Sequence, residues 1–238
     1  MIRTFAGVTF LALYIIVVGL PVIAYSMLTG RSGFLYRAGR WGIGASMRLA
    51  GVRVRTEGIE NIPLGVCVFA ANHASNLDPP AVLIGVPRRI SFLAKQEVFK
   101  VPVVRTALRL GKIVPVDRAA RGAAIASIDQ AVAVMREGIS FFVFPEGTRS
   151  SNGTLKAFKK GTFVMAIRAG VPVVPVSILG SRERMPKGKL SIVPGEILLR
   201  FGAPIDSTQY AVDEREELLE CVRAAVAAGL ESPAAPKQ

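Results

Sequence analysis

Residues that bind metals and staple folds are nearly missing from this chain. It has one histidine, His73, and two cysteines, Cys67 and Cys221, in 238 residues. A metal centre built on several His or Cys ligands is nearly excluded. The two distant cysteines form neither a ligand pair nor a disulfide framework, and a reducing, cytosolic setting for the folded part is the simplest reading. Any imidazole chemistry must pass through His73. Acidic residues are scarce as well: 17 Asp and Glu stand against 30 Lys and Arg, a formal net charge of +13. Such a balance points to an anionic partner, whether nucleic acid, anionic lipid or a phosphorylated substrate. Four tyrosines and one tryptophan leave little for stacking on bases, and no nucleic-acid motif is present. A membrane-tethered nucleic-acid binder is therefore the weaker alternative. Hydrophobic residues make up 51% of the chain, which excludes global disorder. The length suits one catalytic domain with an appendage.

Charge is absent altogether between Arg3 and Arg31. The apolar core of that window, Phe5 to Leu28, would be roughly 36 Å long as a helix, enough for a bilayer core of about 30 Å. Pro21 inside it allows a kink or a re-entrant bend. A cleaved signal peptide is the alternative. The run is long for that, and Arg31, Arg37 and Arg40 disfavour export of the chain beyond them. Residues 33–50 read as a basic amphipathic helix. Arg37, Arg40 and Arg48 share one arc, Phe34, Ala38, Ala45 and Leu49 an adjoining one, and Trp41 lies at the border. That pattern suits a segment lying on anionic lipid.

From residue 51 the chain alternates. Short β-rich runs occur at Val52–Arg55, Val66–Ala70, Ile90–Ala94, Ile113–Val116, Ser140–Phe144, Val173–Ile178 and Ile197–Phe201. Helical patterns lie between several of them, at about 79–86, 119–137 and 158–169, and a last one at about 212–229. Strands alternating with helices predict an α/β fold with a mixed, partly parallel sheet flanked by helices. The chain then divides into a membrane-attachment segment (1–50), a catalytic domain (51–205), and a C-terminal helix with a disordered tail (206–238).

Chemistry concentrates in a few blocks. In "ANHASNLDPP" an apolar run delivers His73 at its C-terminal end, where sites gather in α/β sheets. Asp78 comes five residues later and, with Pro79 behind it, reads as a helix N-cap. The intervening loop can fold the carboxylate back onto the imidazole, fixing its tautomer and raising the basicity of the other nitrogen. Taken alone, such a spacing is more often a loop histidine and a helix cap. In "FFVFPEGTRSS" a strand ends in Pro145 and is followed by Glu146, Gly147, Thr148 and Arg149. Glycine, hydroxyls and an arginine suit a phosphate, although a turn with a solvated arginine fits as well. "GKIVPVDR" ends in Asp117-Arg118, an ordinary strand end when read alone. "GVPVVPVSILG" reads as a buried strand. Basic residues crowd the stretch from Arg88 to Arg121, a face suited to anionic headgroups. Lys95 stands apart because it ends an apolar run near the sheet edge that carries His73.

In this order the blocks resemble the glycerolipid acyltransferase family, most closely its 1-acylglycerol-3-phosphate acyltransferase branch. "NHASNLD" matches the N-H-x4-D motif, and "FPEGTRS" the phosphate-acceptor motif. "GKIVPVDR", "VPVVPV", "FLAKQEVFKVP" and "FKKGTFVMA" are similar to further family segments. The resemblance covers about residues 52–205 and implies a single acyltransferase domain. It implies His73 as general base and Asp78 as its orienting carboxylate. Glu146, Gly147, Thr148 and Arg149 would hold the acceptor, with Arg149 and Lys95 on its phosphate and Arg118 as a further candidate. The implied reaction moves a fatty acyl group from acyl-CoA or acyl carrier protein to the sn-2 hydroxyl of 1-acylglycerol-3-phosphate. It needs no metal or bound cofactor. Other acceptors with the same chemistry are glycerol-3-phosphate, a lyso-ornithine lipid or a glycolipid. The expected place is the cell membrane, with the catalytic domain on its cytoplasmic side. Ala74 departs from the family, where larger polar residues are frequent.

Overall fold

The computed structural model describes residues 1–116 and 121–232. Asp117, Arg118 and the tail beyond Ser232 lie outside that range. The chain opens with α1 (Ile2–Tyr14), a π-helical stretch (Ile15–Gly19) and α2 (Leu20–Thr29), which run on as one 28-residue apolar helix of mean hydropathy 2.4. It is long and apolar enough to cross a membrane. Pro21 does not break it. A proline ring presses on the carbonyl four residues back and offers no N–H, and the wider π turn just before it makes room for both defects. Gly30, at φ +70, ends the helix, and α3 (Gly33–Leu49) turns back along it.

Small residues let α1 and α3 touch. A Cβ on Gly42 would fall 2.3 Å from the Tyr14 ring. The Tyr14 hydroxyl donates to the Ala38 carbonyl at 3.1 Å, and Ser46 Oγ donates to the Gly7 carbonyl at 2.9 Å. Trp41 packs with Phe10 and Tyr14, and Phe34 with Tyr25. The other side of α3 rests on the folded domain. Arg40 therefore does not face lipid: its guanidinium donates to the Ile84 carbonyl at 2.6 Å. The Tyr36 hydroxyl donates to the Arg88 carbonyl at 3.0 Å.

The remaining elements alternate as expected: β1 (Val52–Glu57), β2 (Val68–Ala71), α4 (Asp78–Gly85), β3 (Ile90–Lys95), α5 (Pro102–Leu110), β4 (Val114–Val116), α6 (Arg121–Arg136), β5 (Ser140–Val143), α7 (Gly161–Ala169), β6 (Val173–Leu179), α8 (Ser181–Arg184), β7 (Gly195–Phe201) and α9 (Arg215–Glu231). Among the described residues the sheet has seven strands in the order β1-β7-β6-β2-β5-β3-β4. Only the β6–β7 pair is antiparallel. The central strands β2 and β5 are buried along their length because both faces are covered, which is why they read as unbroken apolar runs. On one face Phe69, Phe142 and Phe201 pack with Leu77, Val82 and Met47. On the other, Phe141 and Phe163 pack with Met135, Leu218 and Val222. Helix α9 belongs to that second layer, and Ser177 Oγ ties it to β6 by donating to the Val226 carbonyl at 2.8 Å.

Part of the basic stretch is structural. Arg88 donates to the Pro63 and Gly65 carbonyls, and Arg89 to Ser32 Oγ at 3.0 Å and to the Leu110 carbonyl at 3.4 Å. These guanidiniums bind backbone and a hydroxyl, not headgroups. The short helix α5 arises inside the same stretch.

Candidate active site

Strand β2 ends at Ala71, and the next side chain prolongs its pairing. Asn72 Oδ1 accepts from the Ile178 N–H at 2.8 Å, and Asn72 Nδ2 donates to the Ile178 carbonyl at 3.0 Å. The amide thus mimics a peptide and holds the chain against β6 one residue past the strand. His73 comes next, fixed by backbone on both sides. Its N–H donates to Glu146 Oε1 at 2.7 Å, and its carbonyl accepts from the Ser150 N–H at 2.7 Å. Its ring stacks on Phe144 with centroids 4.2 Å apart.

Asp78 meets the ring. Its Oδ2 sits 2.8 Å from His73 Nδ1 and accepts from the Ala74 and Ser75 N–H groups, each at 2.8 Å. The carboxylate is fully buried, and the histidine side chain is 18% exposed. The expected helix cap is corrected here. Asp78 is the first residue of α4, and its side chain makes no bond to that helix. It binds the loop that precedes it, so one oxygen both orients the imidazole and closes the turn that carries it. The Ala74 side chain plays no part; its N–H does. With Nδ1 engaged, Nε2 is the nitrogen left for the cavity.

That cavity, about 920 Å³, opens over His73. Its interior is apolar, formed by residues such as Leu83, Phe92, Val98, Ile113 and Ile128. Its rim is basic: Lys95, Arg149, Lys159 and Lys187 all line it. Lys95, Gly147, Thr148 and Arg149 all line this cavity. Gly147 adopts φ +72, and a Cβ there would lie 2.9 Å from Lys159, so a larger residue would displace a rim cation. Lys156 and Lys187 both donate to the Arg149 carbonyl, at 3.0 and 3.2 Å, and Lys156 also to Thr148 Oγ1 at 3.3 Å. Sequence reasoning assigned no role to Lys156, Lys159 or Lys187. The one available signal was the "FKKG" run. Arg118 lies outside the described residues.

Glu146 departs from the expected placement. It is 4% exposed, and both carboxylate oxygens are occupied by backbone: Oε1 by the His73 N–H, Oε2 by the Lys156 N–H at 3.3 Å. Burial pushes its carboxyl above the usual carboxylate range, and those two N–H donors pull it part of the way back. It lies behind the acceptor rim and holds the histidine backbone in place. Glu146→Ala is accordingly expected to lower kcat while leaving the acceptor KM nearly unchanged, and to cost about 1–3 kcal/mol for each of the two N–H groups left unpaired. Steady-state kinetics with thermal melting checks this; a selective rise in acceptor KM would return Glu146 to the binding set.

Neither thiol is placed for nucleophilic catalysis. Burial raises Cys67 to about 11, and Cys221 is exposed on α9. A histidine oriented by a buried carboxylate, beneath a basic rim and beside an apolar interior, can take a proton from a hydroxyl held in the cavity. A family model described as Acyltransferase matches residues 53–179, and the chain belongs to that family. It is 35% identical over 152 residues to the chloroplastic 1-acyl-sn-glycerol-3-phosphate acyltransferase BAT2 of Brassica napus, a match covering 63% of this chain and 44% of that protein. It is 29% identical over 177 residues to the human 1-acyl-sn-glycerol-3-phosphate acyltransferase alpha, covering 74% and 62%. Its matches to the chloroplastic relatives of Brassica napus and Arabidopsis thaliana span less than half of their length. The fold is similar to the crystal structure of the 1-acyl-sn-glycerophosphate acyltransferase PlsC from Thermotoga maritima, with a TM-score of 0.79, 30% identity and coverage of 98% and 97%.

Proposed function

We propose that this protein transfers a fatty acyl group from an acyl thioester to the sn-2 hydroxyl of 1-acylglycerol-3-phosphate, making phosphatidic acid for phospholipid synthesis. The observation that carries the reading is the buried Asp78–His73 pair under a cavity with a cationic rim and an apolar interior. Nε2 of His73 removes the hydroxyl proton as the oxygen attacks the thioester carbonyl. The tetrahedral intermediate collapses, the C–S bond breaks, and the imidazolium returns its proton to the thiolate. Thiolate is a good leaving group and the thioester is already activated, so neither metal nor bound cofactor is required. Lys95 and Arg149 hold the acceptor phosphate, and the apolar interior takes hydrocarbon. The donor is acyl-CoA or acyl carrier protein.

Purified protein given lysophosphatidic acid and an acyl-thioester series tests this reading. Turnover with glycerol-3-phosphate, a lyso-ornithine lipid or a glycolipid in its place would reassign the acceptor. In the same assay Arg149→Ala and Lys95→Ala are expected to raise the acceptor KM by roughly tenfold or more, the value of about 1.5–3 kcal/mol for a charged hydrogen bond, and the donor KM much less. An unchanged acceptor KM in both variants would remove them from the phosphate site.

The attachment is to the cell membrane, with the catalytic domain on the cytoplasmic side where the thioesters are. α3 lies against the domain on one side and the long helix on the other. At its two ends that helix meets the domain through Thr4, bonded to Ile192, and through the contact of α2 with α5. Such a helix is best seated within one leaflet, since an upright crossing would draw the domain in with it. Burial of its apolar side is not screened by ions, so the protein should stay with membranes at high salt. Release by salt alone would argue against insertion.

A further inference from the structure

Away from the catalytic cavity, a second hollow of about 700 Å³ opens where the first turns of α1 meet the segment between α8 and β7. Ile2, Phe5 and Val8 form one side, Met185 and Leu190 the other. Ile2 is 85%, Phe5 73% and Leu190 81% exposed. A lone exposed leucine needs no explanation, but a contiguous apolar surface shared by two elements does.

The segment that carries Leu190 is held in shape. The Lys189 N–H donates to the Pro186 carbonyl at 3.0 Å around Gly188, whose φ of +85 favours glycine. The Val193 N–H closes the base on the Arg184 carbonyl at 2.8 Å. Ile192 is bonded to Thr4 in both directions, its N–H donating to Thr4 Oγ1 at 2.9 Å and its carbonyl accepting from that hydroxyl at 3.3 Å. Leu190 is thereby fixed beside α1 and meets whatever surface α1 meets. Residues 186–194, PKGKLSIVP, contain two lysines and no acid. An apolar tip flanked by lysines matches the boundary between acyl chains and anionic headgroups.

We propose that residues 186–194 form a second membrane-seated element, with Leu190 in the acyl region of an anionic leaflet and Lys187 and Lys189 among its headgroups. This rests on the membrane attachment proposed above. The same segment reaches the catalytic cavity, where Lys187 lines the rim and donates to the Arg149 carbonyl. It therefore sets the acceptor rim at headgroup level, so that a phosphate-bearing lipid moves from leaflet to site without crossing open water.

Site-directed fluorescence on the full chain tests the proposal. Leu190→Cys in a Cys221→Ser background is labelled with an environment-sensitive dye and reconstituted into vesicles of phosphatidylcholine and phosphatidylglycerol; Cys67, being buried, stays unlabelled. A second sample carries the dye on native Cys221, on the opposite face of the sheet. The label at position 190 should be quenched by nitroxide on the lipid chains and shielded from aqueous iodide, and the label on Cys221 should show the reverse. Protein that floats with the vesicles while its position-190 label is quenched freely by iodide would overturn the proposal and leave membrane attachment standing. Protein that does not float would overturn both. Shielding from iodide without nitroxide quenching would assign the patch to a second copy of the chain and reject the lipid surface.

Discussion

Replacing His73 by alanine is expected to reduce acyl transfer by at least the ~10²–10⁴ typical of general-base catalysis, with the fold intact. The ring is partly exposed and lies over a cavity, so its removal leaves no sealed void. Its contacts are the stack on Phe144 and the bond to Asp78. The bonds that shape the loop belong to the His73 backbone and to Asp78, and both survive the substitution. Stability should therefore fall little while kcat falls greatly. Circular dichroism and a melting curve establish the first, and initial rates the second. Added imidazole can enter the vacated space and should restore part of the activity. Near-normal turnover in the variant would sink the mechanism.

Asp78 separates into two effects that two substitutions can resolve. In Asp78→Asn the amide oxygen can occupy the position of Oδ2 and keep the bonds from Ala74 and Ser75, so the loop keeps its shape and only the charge is lost. An orienting carboxylate of this kind is worth on the order of 10⁴ in kcat in Ser-His-Asp hydrolases, and a loss of roughly 10²–10⁴ is expected here. The KM values of both substrates should change little. Asp78→Ala removes the acceptor as well and leaves two backbone N–H groups unpaired in a buried loop. At about 1–3 kcal/mol for each, Tm should drop by roughly 5–15 °C on top of the same loss of rate. Wild-type kcat in Asp78→Asn would show the carboxylate to be structural only.

Sequence patterning located all seven strands: most are apolar runs bounded by turn residues, with β2, β5 and β6 buried along nearly their whole length, and β1 alternates valine with arginine. The spacing of His73 and Asp78 was ambiguous by itself, and the ordered motif blocks of the family resemblance made the pair legible. The features that escaped depend on contacts made over long stretches of chain. Glu146 stands in a motif with Arg149, and nothing local distinguishes a carboxylate that faces substrate from one that holds a backbone N–H 73 residues away. The rim residues Lys159 and Lys187, and Lys156 bonded to the Arg149 carbonyl, are gathered by the fold, and the "FKKG" run is the one local mark of them. Arg40 reads as a lipid-facing cation on a helical wheel, yet the carbonyl it binds belongs to α4. Pro21 suggests a bend because a propensity rule cannot foresee the π turn that absorbs it. Helix α5 is short, and its arginines make it look like part of a charge run.

The double clamp on His73 bears on how the site can move. Catalytic loops commonly open on their own, with protection from hydrogen exchange far below that of the core. Here the His73 N–H is bonded to the Glu146 carboxylate, and the Ser150 N–H to the His73 carbonyl, across the loops that follow β2 and β5 in the middle of the sheet. The loops after two central strands thus hold each other through buried bonds. Both amides are expected to exchange more slowly than those of the cavity rim, which a hydrogen-exchange measurement checks. On that expectation the breathing that admits a lipid falls to the rim and not to the loop that carries the base.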